Sequence, residues 1–207
     1  MATLTAKTKT VPTLGERVFR KHGGMLRMAD AIRAGVHRRD LYTMRDKGII
    51  VQLGRGFYRL ADSPPLAHPD LVTVARRIPK GVICLISALA FHKLTTQIPH
   101  EVYVALPHGT EPPRIDYPPV RSFYWGKRAF AEGVEKHDLD GVPVRIYSRE
   151  KTLADCFRYR AAVGLDTAIE ALRRYRDIGR VNSDALRRAA RACRVEKVMQ
   201  PYLEATL

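Results

Sequence analysis

The sequence lacks the features of a membrane protein and of a disulfide-stapled secreted protein. No apolar run approaches the roughly 20 residues that a helix needs to cross a bilayer, and the first residues lack the hydrophobic core of a signal peptide. The three cysteines, Cys84, Cys156 and Cys193, are an odd number and widely spaced within apolar surroundings. This pattern argues against a disulfide framework and a zinc site. We therefore expect a soluble cytoplasmic protein with reduced core thiols and no membrane partner.

Acidic residues are scarce relative to basic ones. The chain has 36 Lys and Arg against 21 Asp and Glu, and its formal net charge is +15. Such a balance favours nucleic acid, an acidic protein or an anionic membrane surface as partner, and charge alone does not choose among them. The basic excess is present in both the N-terminal and the C-terminal parts of the chain.

Catalytic motifs are also missing. The sequence contains no phosphate-cradling glycine loop, no paired metal-ligand spacing and no nucleophile elbow. Glu135, Asp138 and Asp140 would suit a metal-dependent nuclease or nucleotidyltransferase, but they surround an Asp-Gly pair that is typical of a hairpin turn. Asp155, near a helix start, is expected to cap, to pair with an arginine or to complete a polar network. We predict no catalytic residue, no cofactor and no bound metal.

One stretch, residues 28–60, gives the sequence its clearest pattern. Two short amphipathic helices, 28–34 and 37–47, are each followed by a glycine, which ends a helix without steric cost. Strand-like runs at 49–53 and 57–60 then flank Gly54-Arg55-Gly56, a turn suited to a hairpin. With a preceding helix near Leu14, this order predicts a winged helix-turn-helix.

The second of these helices has two distinct faces. Leu41 and Met44 lie at core spacing, which leaves the basic and polar residues on the opposite face. Such a helix fits the major groove of DNA, where arginine suits guanine and tyrosine or threonine suits phosphates or thymine methyls. The candidate DNA contacts are Arg38, Arg39, Tyr42 and Thr43 on this helix and Arg55 at the hairpin tip. Winged helices also serve as protein-interaction modules, and a basic face is often only a solvated surface.

The remaining sequence predicts a second domain. Residues 1–12 read as a flexible arm, 13–61 as the winged domain, 62–69 as a proline-rich linker and 70–207 as an α+β domain. Four strand-like runs, two of them flanking Asp140-Gly141, predict a mixed β-sheet, and helical patterns follow Arg149. The fold class is therefore α+β, with an N-terminal winged helix-turn-helix followed by a mixed sheet and C-terminal helices.

Several short motifs occur in a recognisable order. They are the winged unit, Pro65-Leu-Ala-His-Pro-Asp70, Ile86-Ser-Ala-Leu89 with His92-Lys-Leu94, and Arg149-Glu-Lys-Thr-Leu-Ala-Asp155 after a Val-Arg-Ile-Tyr strand. Together they resemble AbiEi-type antitoxins of type IV toxin–antitoxin systems over nearly the whole chain.

This resemblance implies a bacterial regulator that is not an enzyme. The N-terminal domain is expected to bind inverted repeats of double-stranded DNA in the promoter of its own operon, and the C-terminal domain to counteract a nucleotidyltransferase-type toxin. The resemblance assigns DNA contact to the residues already named, Arg38, Arg39, Tyr42, Thr43 and Arg55. Three alternatives stay open: a stand-alone regulator without a toxin, a nucleic-acid-processing enzyme that uses acids of the second domain, and a protein-interaction module.

Overall fold

The computed structural model describes residues 12–54, 56–63, 66–179 and 181–206. The chain divides into two compact units, Met1–Pro65 and Leu66–Leu207. Each unit has its own hydrophobic core. The arm predicted for residues 1–12 lies almost entirely outside the described residues.

The first unit consists of three helices and a small antiparallel sheet. Its elements are α1 (Leu14–Lys21), β1 (Met25–Arg27), α2 (Met28–Arg33), α3 (Arg38–Asp46), β2 (Ile50–Gly54) and β3 (Phe57–Leu60). The strands are ordered β1-β3-β2, and both pairings are antiparallel. This is the winged helix-turn-helix that the sequence predicted. Strand β1 was not predicted, because three residues are too few to show an alternating pattern.

The core of this unit joins all three helices to the sheet. Its buried residues are Phe19, Leu26, Ala31, Val36, Leu41, Met44, Ile50, Tyr58 and Leu60. The sequence pattern predicts Ile32 as a core residue of this unit, but that prediction is wrong, since Ile32 is exposed and Ala31 is buried in its place. Helix α2 has only six residues, so its apolar stripe is too short to fix which side faces inward.

The second unit surrounds a mixed five-stranded sheet with helices. Its strands are β4 (Val82–Ile83), β5 (Val102–Pro107), β6 (Val120–Trp125), β7 (Val134–Leu139) and β8 (Val142–Tyr147). Its helices are α4 (Pro69–Arg77), α5 (Leu85–Phe91), α6 (Lys127–Ala131), α7 (Arg149–Arg158), α8 (Arg160–Val163), α9 (Leu165–Asp177), α10 (Ser183–Cys193) and α11 (Glu196–Thr206). The fold class predicted from the sequence, a mixed sheet followed by C-terminal helices, is confirmed.

The strand order in this sheet is β6-β5-β4-β8-β7. The pairs β5–β6 and β4–β8 are parallel, whereas β4–β5 and β7–β8 are antiparallel. The β7–β8 hairpin turns at Asp140 and Gly141, whose φ angles of 55° and 75° are those of a tight hairpin turn. The Asp-Gly signal therefore predicted this hairpin correctly.

The apolar run of residues 82–86 is divided between two elements. Strand β4 ends at Ile83, and helix α5 begins at Leu85, whose φ is 47°. By residue type Ser87 is predicted to be the N-cap of this helix, but that prediction is wrong, because Ser87 lies within the first turn. Its hydroxyl accepts a hydrogen bond from the backbone N–H of Tyr103 at 3.0 Å, so it connects α5 to β5.

None of the helices in the described part of the chain is both long enough and apolar enough to span a bilayer.

Candidate nucleic-acid interface

Helix α3 is fixed in place at both ends. The backbone N–H of Arg39 donates to Nδ1 of the N-cap residue His37 at 3.2 Å, which satisfies one of the free amides of the first turn. At the other end, Gly48 adopts a φ of 68° and its N–H donates to the carbonyl of Arg45 at 2.9 Å. The helix is thus a rigid element with defined limits.

The inner face of α3 packs tightly against the first helix. Leu41 and Met44 are buried, as predicted. A Cβ atom added at Gly15 of α1 would lie 2.4 Å from the Sδ atom of Met44. Because a real Cβ does not approach another atom that closely, glycine at this position allows α1 and α3 to make close contact. This packing determines which face of α3 remains in solvent.

The outer face of α3 carries four of the five predicted contact residues. Arg38, Arg39, Tyr42 and Thr43 are all exposed. The Thr43 hydroxyl donates to the carbonyl of Arg39 at 3.0 Å, so its oxygen retains the capacity to accept a hydrogen bond. The structure therefore brings these four side chains together on one surface.

The arginines of this face differ in their partners. Arg45 lies over the ring of Tyr42, 5.1 Å from its centroid, and donates to Oδ1 of Asp46 at 2.7 Å. Within the described residues, the guanidinium groups of Arg38 and Arg39 form no ion pair or hydrogen bond. These two charges at the start of the helix are accessible to a ligand. Sequence reasoning did not include Arg45, although its position three residues after Tyr42 indicated a shared face.

The wing is connected to the start of the second helix. Strands β2 and β3 pair through Gly54 and Phe57, with an irregular register at the turn. The carbonyl of Gly56 accepts a hydrogen bond from the N–H of Met28 at 2.8 Å. Arg55, predicted to contact DNA from the hairpin tip, lies outside the described residues.

The acids that would serve an enzyme are engaged by other groups of the second unit. Oδ1 of Asp138 accepts from the N–H of Gly141 at 2.8 Å, which stabilises the turn. Oδ2 of Asp140 accepts from the N–H of Ala67 at 3.2 Å. Glu135 bonds to Nε2 of His137 at 2.9 Å. Each carboxylate thus has a structural partner, and within the residues that the structure describes no group of three His, Cys, Asp or Glu side chains has metal-binding geometry.

Asp155 belongs to a buried polar network. Both of its carboxylate oxygens lie 2.6 Å from Nζ of Lys151, and Oδ1 also accepts from Nε1 of Trp125 at 3.0 Å and from Sγ of Cys193 at 3.2 Å. Of the roles expected from the sequence, completion of a polar network is the one that the structure shows, with lysine as the cation. Because the side chain is fully buried, it has no access to a substrate.

The three cysteines lie in the core of this unit. All are free thiols and all are buried. Burial raises the pKa of Cys84, Cys156 and Cys193, and the nearby charge of Asp155 adds to the effect. They are therefore protonated core residues and not reactive thiolates.

The three helices and the β-hairpin of the first unit define a winged helix-turn-helix protein. Residues 16–61 match the family model described as "Transcriptional regulator, AbiEi antitoxin". The resemblance to AbiEi-type antitoxins that was inferred from the sequence is confirmed over these residues, which comprise nearly the entire winged unit.

A solved structure shares the fold of both units. The crystal structure of the RV2827C protein from Mycobacterium tuberculosis is similar to this chain with a TM-score of 0.52 and 17% sequence identity. The similarity covers 96% of this chain and 83% of the other. At this identity the likeness concerns the fold alone. No curated protein matches the chain.

Proposed function

We propose that this protein is a sequence-specific DNA-binding transcriptional regulator that reads its operator with helix α3. The observation that carries the proposal is the pair Arg38 and Arg39, two exposed cations without partners in the described structure, at the start of a helix whose other face is packed. The family match over residues 16–61 supports the same class of function.

The geometry suits entry of α3 into the major groove. An arginine at the start of a recognition helix can donate two hydrogen bonds to O6 and N7 of guanine. Tyr42 and Thr43, on the next turn, are placed to contact phosphate oxygens or thymine methyl groups. In this proposal Arg55, which the sequence predicts at the hairpin tip, contacts phosphate or enters the adjacent minor groove.

We further propose that the protein represses its own operon and acts as an antitoxin. Two copies would occupy an inverted repeat in the promoter, spaced by whole turns of the duplex. The second unit would counteract a nucleotidyltransferase-type toxin without catalysis of its own. The structural roles of Asp138, Asp140 and Asp155 support a non-enzymatic second unit, because each carboxylate is engaged in holding the fold.

Binding to promoter DNA tests this proposal. The full chain is titrated into labelled duplex from immediately upstream of its own gene and into a scrambled duplex, and fluorescence anisotropy is followed across a salt series. We expect the protein to bind the promoter duplex at least about a thousandfold more tightly than the scrambled one. Equal, weak and strongly salt-dependent binding to both duplexes would show that the surface binds DNA only through its positive charge. That result would favour a protein-interaction module.

The antitoxin role is separable from DNA binding. Each gene adjacent to the gene of this protein is expressed in growing cells, alone and together with this protein. One of these gene products should be toxic alone, and co-expression of this protein should relieve the toxicity. If promoter binding is specific and no neighbouring product is toxic, the protein is a stand-alone regulator.

A further inference from the structure

A pocket lies in the second unit beside the start of helix α4. It has a volume of 250 Å³, and its walls come from α4, α5 and the loop that precedes β5. Much of this wall is apolar, contributed by Leu71, Phe91, Ile98, Val102 and Pro118. We call it the Asp70 pocket, after the acid in its wall. Its volume is below the roughly 300–1,000 Å³ of pockets that hold drug-sized ligands, and it is sufficient for one long side chain.

The pocket is acidic in a strongly basic chain. Asp70 and Glu101 line it together with His68 and His100, and no lysine or arginine does so among the residues that the structure describes. Glu101 is partly neutralised by Arg121, whose Nη1 lies 3.4 Å from its Oε1. The carboxylate of Asp70 has no hydrogen bond or ion pair within the described ranges, and partial burial raises its pKa. An unpaired carboxylate beside apolar walls favours a cationic occupant.

The walls are held in place before any partner binds. Ser87 accepts from the N–H of Tyr103 at 3.0 Å and donates to the carbonyl of Glu101 at 3.4 Å, which fixes the loop against α5. Gln97, at the start of this loop, donates to Thr167 at 3.0 Å. The ring of His68 meets that of Phe91 edge-on at 5.4 Å. A preformed pocket avoids the entropic cost of ordering its walls on binding.

Exposed apolar side chains extend this surface beyond the pocket. Ile98, in the wall, is 83% exposed, and Tyr117, next to the wall residue Pro118, is 61% exposed. These are the two most exposed large hydrophobic side chains in the described part of the chain. A small cation inside the pocket would leave both in water, whereas a polypeptide segment would cover them.

We propose that the Asp70 pocket docks a protein partner, which inserts one arginine or lysine side chain flanked by an apolar residue. The aliphatic stem would lie along the apolar wall and the cationic head would meet Asp70, while the flanking residue would cover Ile98 and Tyr117. The unpaired carboxylate of Asp70 repels phosphate, so nucleic acid does not suit this surface. The proposal concerns the second unit and does not depend on DNA binding by α3.

A peptide titration followed by NMR tests the docking site. The ¹⁵N-labelled full chain is titrated with acetyl-Leu-Arg-Leu-amide and with the same peptide carrying citrulline, the uncharged isostere of arginine. The arginine peptide should produce saturable shifts at the amides of Asp70, Leu71, Ile98 and Glu101. It should bind about tenfold more tightly than the citrulline peptide, since a charge-assisted hydrogen bond is lost in the latter.

Asp70→Asn keeps the shape of the side chain and removes its charge. It should weaken binding of the arginine peptide by about the same factor. Asp166→Asn, a change of equal charge at an exposed position on α9, should have no effect. Retention of the wild-type spectrum elsewhere verifies that each variant is folded.

Three results would overturn the proposal. These are the absence of saturable shifts up to about 10 mM peptide, equal affinity for the arginine and citrulline peptides, and unchanged binding to Asp70→Asn. Butylguanidinium, the isolated cationic group, serves as a fourth arm. If it binds as tightly as the peptide, the pocket is a site for small cations and a protein partner is not required. Each of these outcomes is independent of promoter binding.

Discussion

Lys151 and Asp155 lie one helical turn apart on α7 and form an ion pair that is completely shielded from solvent. Nζ of Lys151 is 2.6 Å from each carboxylate oxygen and 4.0 Å from the centre of the Tyr147 ring. The same carboxylate accepts hydrogen bonds from Trp125 of β6 and Cys193 of α10. The pair therefore connects the sheet of the second unit to two of its helices.

Removal of one partner of this pair should destabilise the second unit severely. Lys151→Met leaves a buried carboxylate without its cation, and we expect a loss of about 3–5 kcal/mol in the free energy of unfolding. Chemical denaturation followed by the fluorescence of Trp125 measures this change, because Trp125 is the single tryptophan of the chain. Lys136→Met, at an exposed position on β7, is the matched control and should shift stability by less than about 0.5 kcal/mol.

Replacement of both partners separates the cost of an unpaired charge from the value of the pair. Lys151→Met combined with Asp155→Leu should recover part of the lost stability, since a buried ion pair contributes little relative to apolar residues of similar volume. Recovery is incomplete because Nε1–H of Trp125 loses its acceptor. Two single-site losses that simply add in the double variant would contradict this explanation.

The first helix of the winged unit depends on a capping box. The Thr13 hydroxyl accepts from the N–H of Glu16 at 3.3 Å, and the Glu16 carboxylate accepts from the N–H of Thr13 at 2.7 Å. Thr13→Ala should cost about 1 kcal/mol and should be detected as faster hydrogen exchange of the α1 amides. Thr110→Ala, at an exposed turn in the second unit, should leave that exchange unchanged. Unaltered protection of α1 in Thr13→Ala would show that packing alone holds the helix.

His92 should make stability depend on pH. Burial lowers the pKa of His92, while its Nε2–H donates to the carbonyl of Tyr147 at 2.7 Å and the charges of Glu135, Arg149 and His137 act on it with smaller effect. With a lowered pKa in the folded state, the unfolded chain binds more protons below about pH 6.5. The free energy of unfolding should therefore fall as the pH drops below about 6.5. Above that pH the contribution of neutral His92 to stability should be complete.

His92→Gln removes the titrating group and should flatten this part of the pH–stability curve, measured by urea denaturation of the second unit between about pH 5 and 8. His22→Gln in the winged unit serves as the control and should leave the curve of the second unit unchanged. An equal slope in wild type and His92→Gln would assign the pH dependence to other groups.

Local patterns were sufficient to predict the elements whose side chains repeat clearly. The two faces of α3 follow from the spacing of Leu41 and Met44, and the β7–β8 hairpin follows from Asp140-Gly141, because both signals are contained in a few adjacent residues. Ser148 and Asn182 are N-cap residues by type and precede helical patterns, and each accepts a backbone N–H at the start of α7 or α10.

Contacts between distant segments were beyond sequence reasoning. The four-residue spacing places Lys151 and Asp155 on one face of a helix, but nothing local shows that Trp125 and Cys193 close over them. Ser87 fits a helix cap by residue type, yet its hydroxyl is engaged by β5. The Asp70 pocket combines α4, α5 and a loop that are separate in sequence, so no motif could indicate it.

The central claim, that α3 reads base sequence, is tested most directly by the discrimination between promoter and scrambled DNA. The Arg38→Ala/Arg39→Ala variant should lose about 1–3 kcal/mol of binding free energy per base-reading arginine on promoter DNA and much less on the scrambled duplex. The ratio of the two affinities should therefore approach one. Arg173→Ala/Arg187→Ala, which removes the same charge from exposed positions of the second unit, should preserve that ratio. If both double variants weaken binding to the two duplexes equally and change only its salt dependence, Arg38 and Arg39 do not read bases and the claim is wrong.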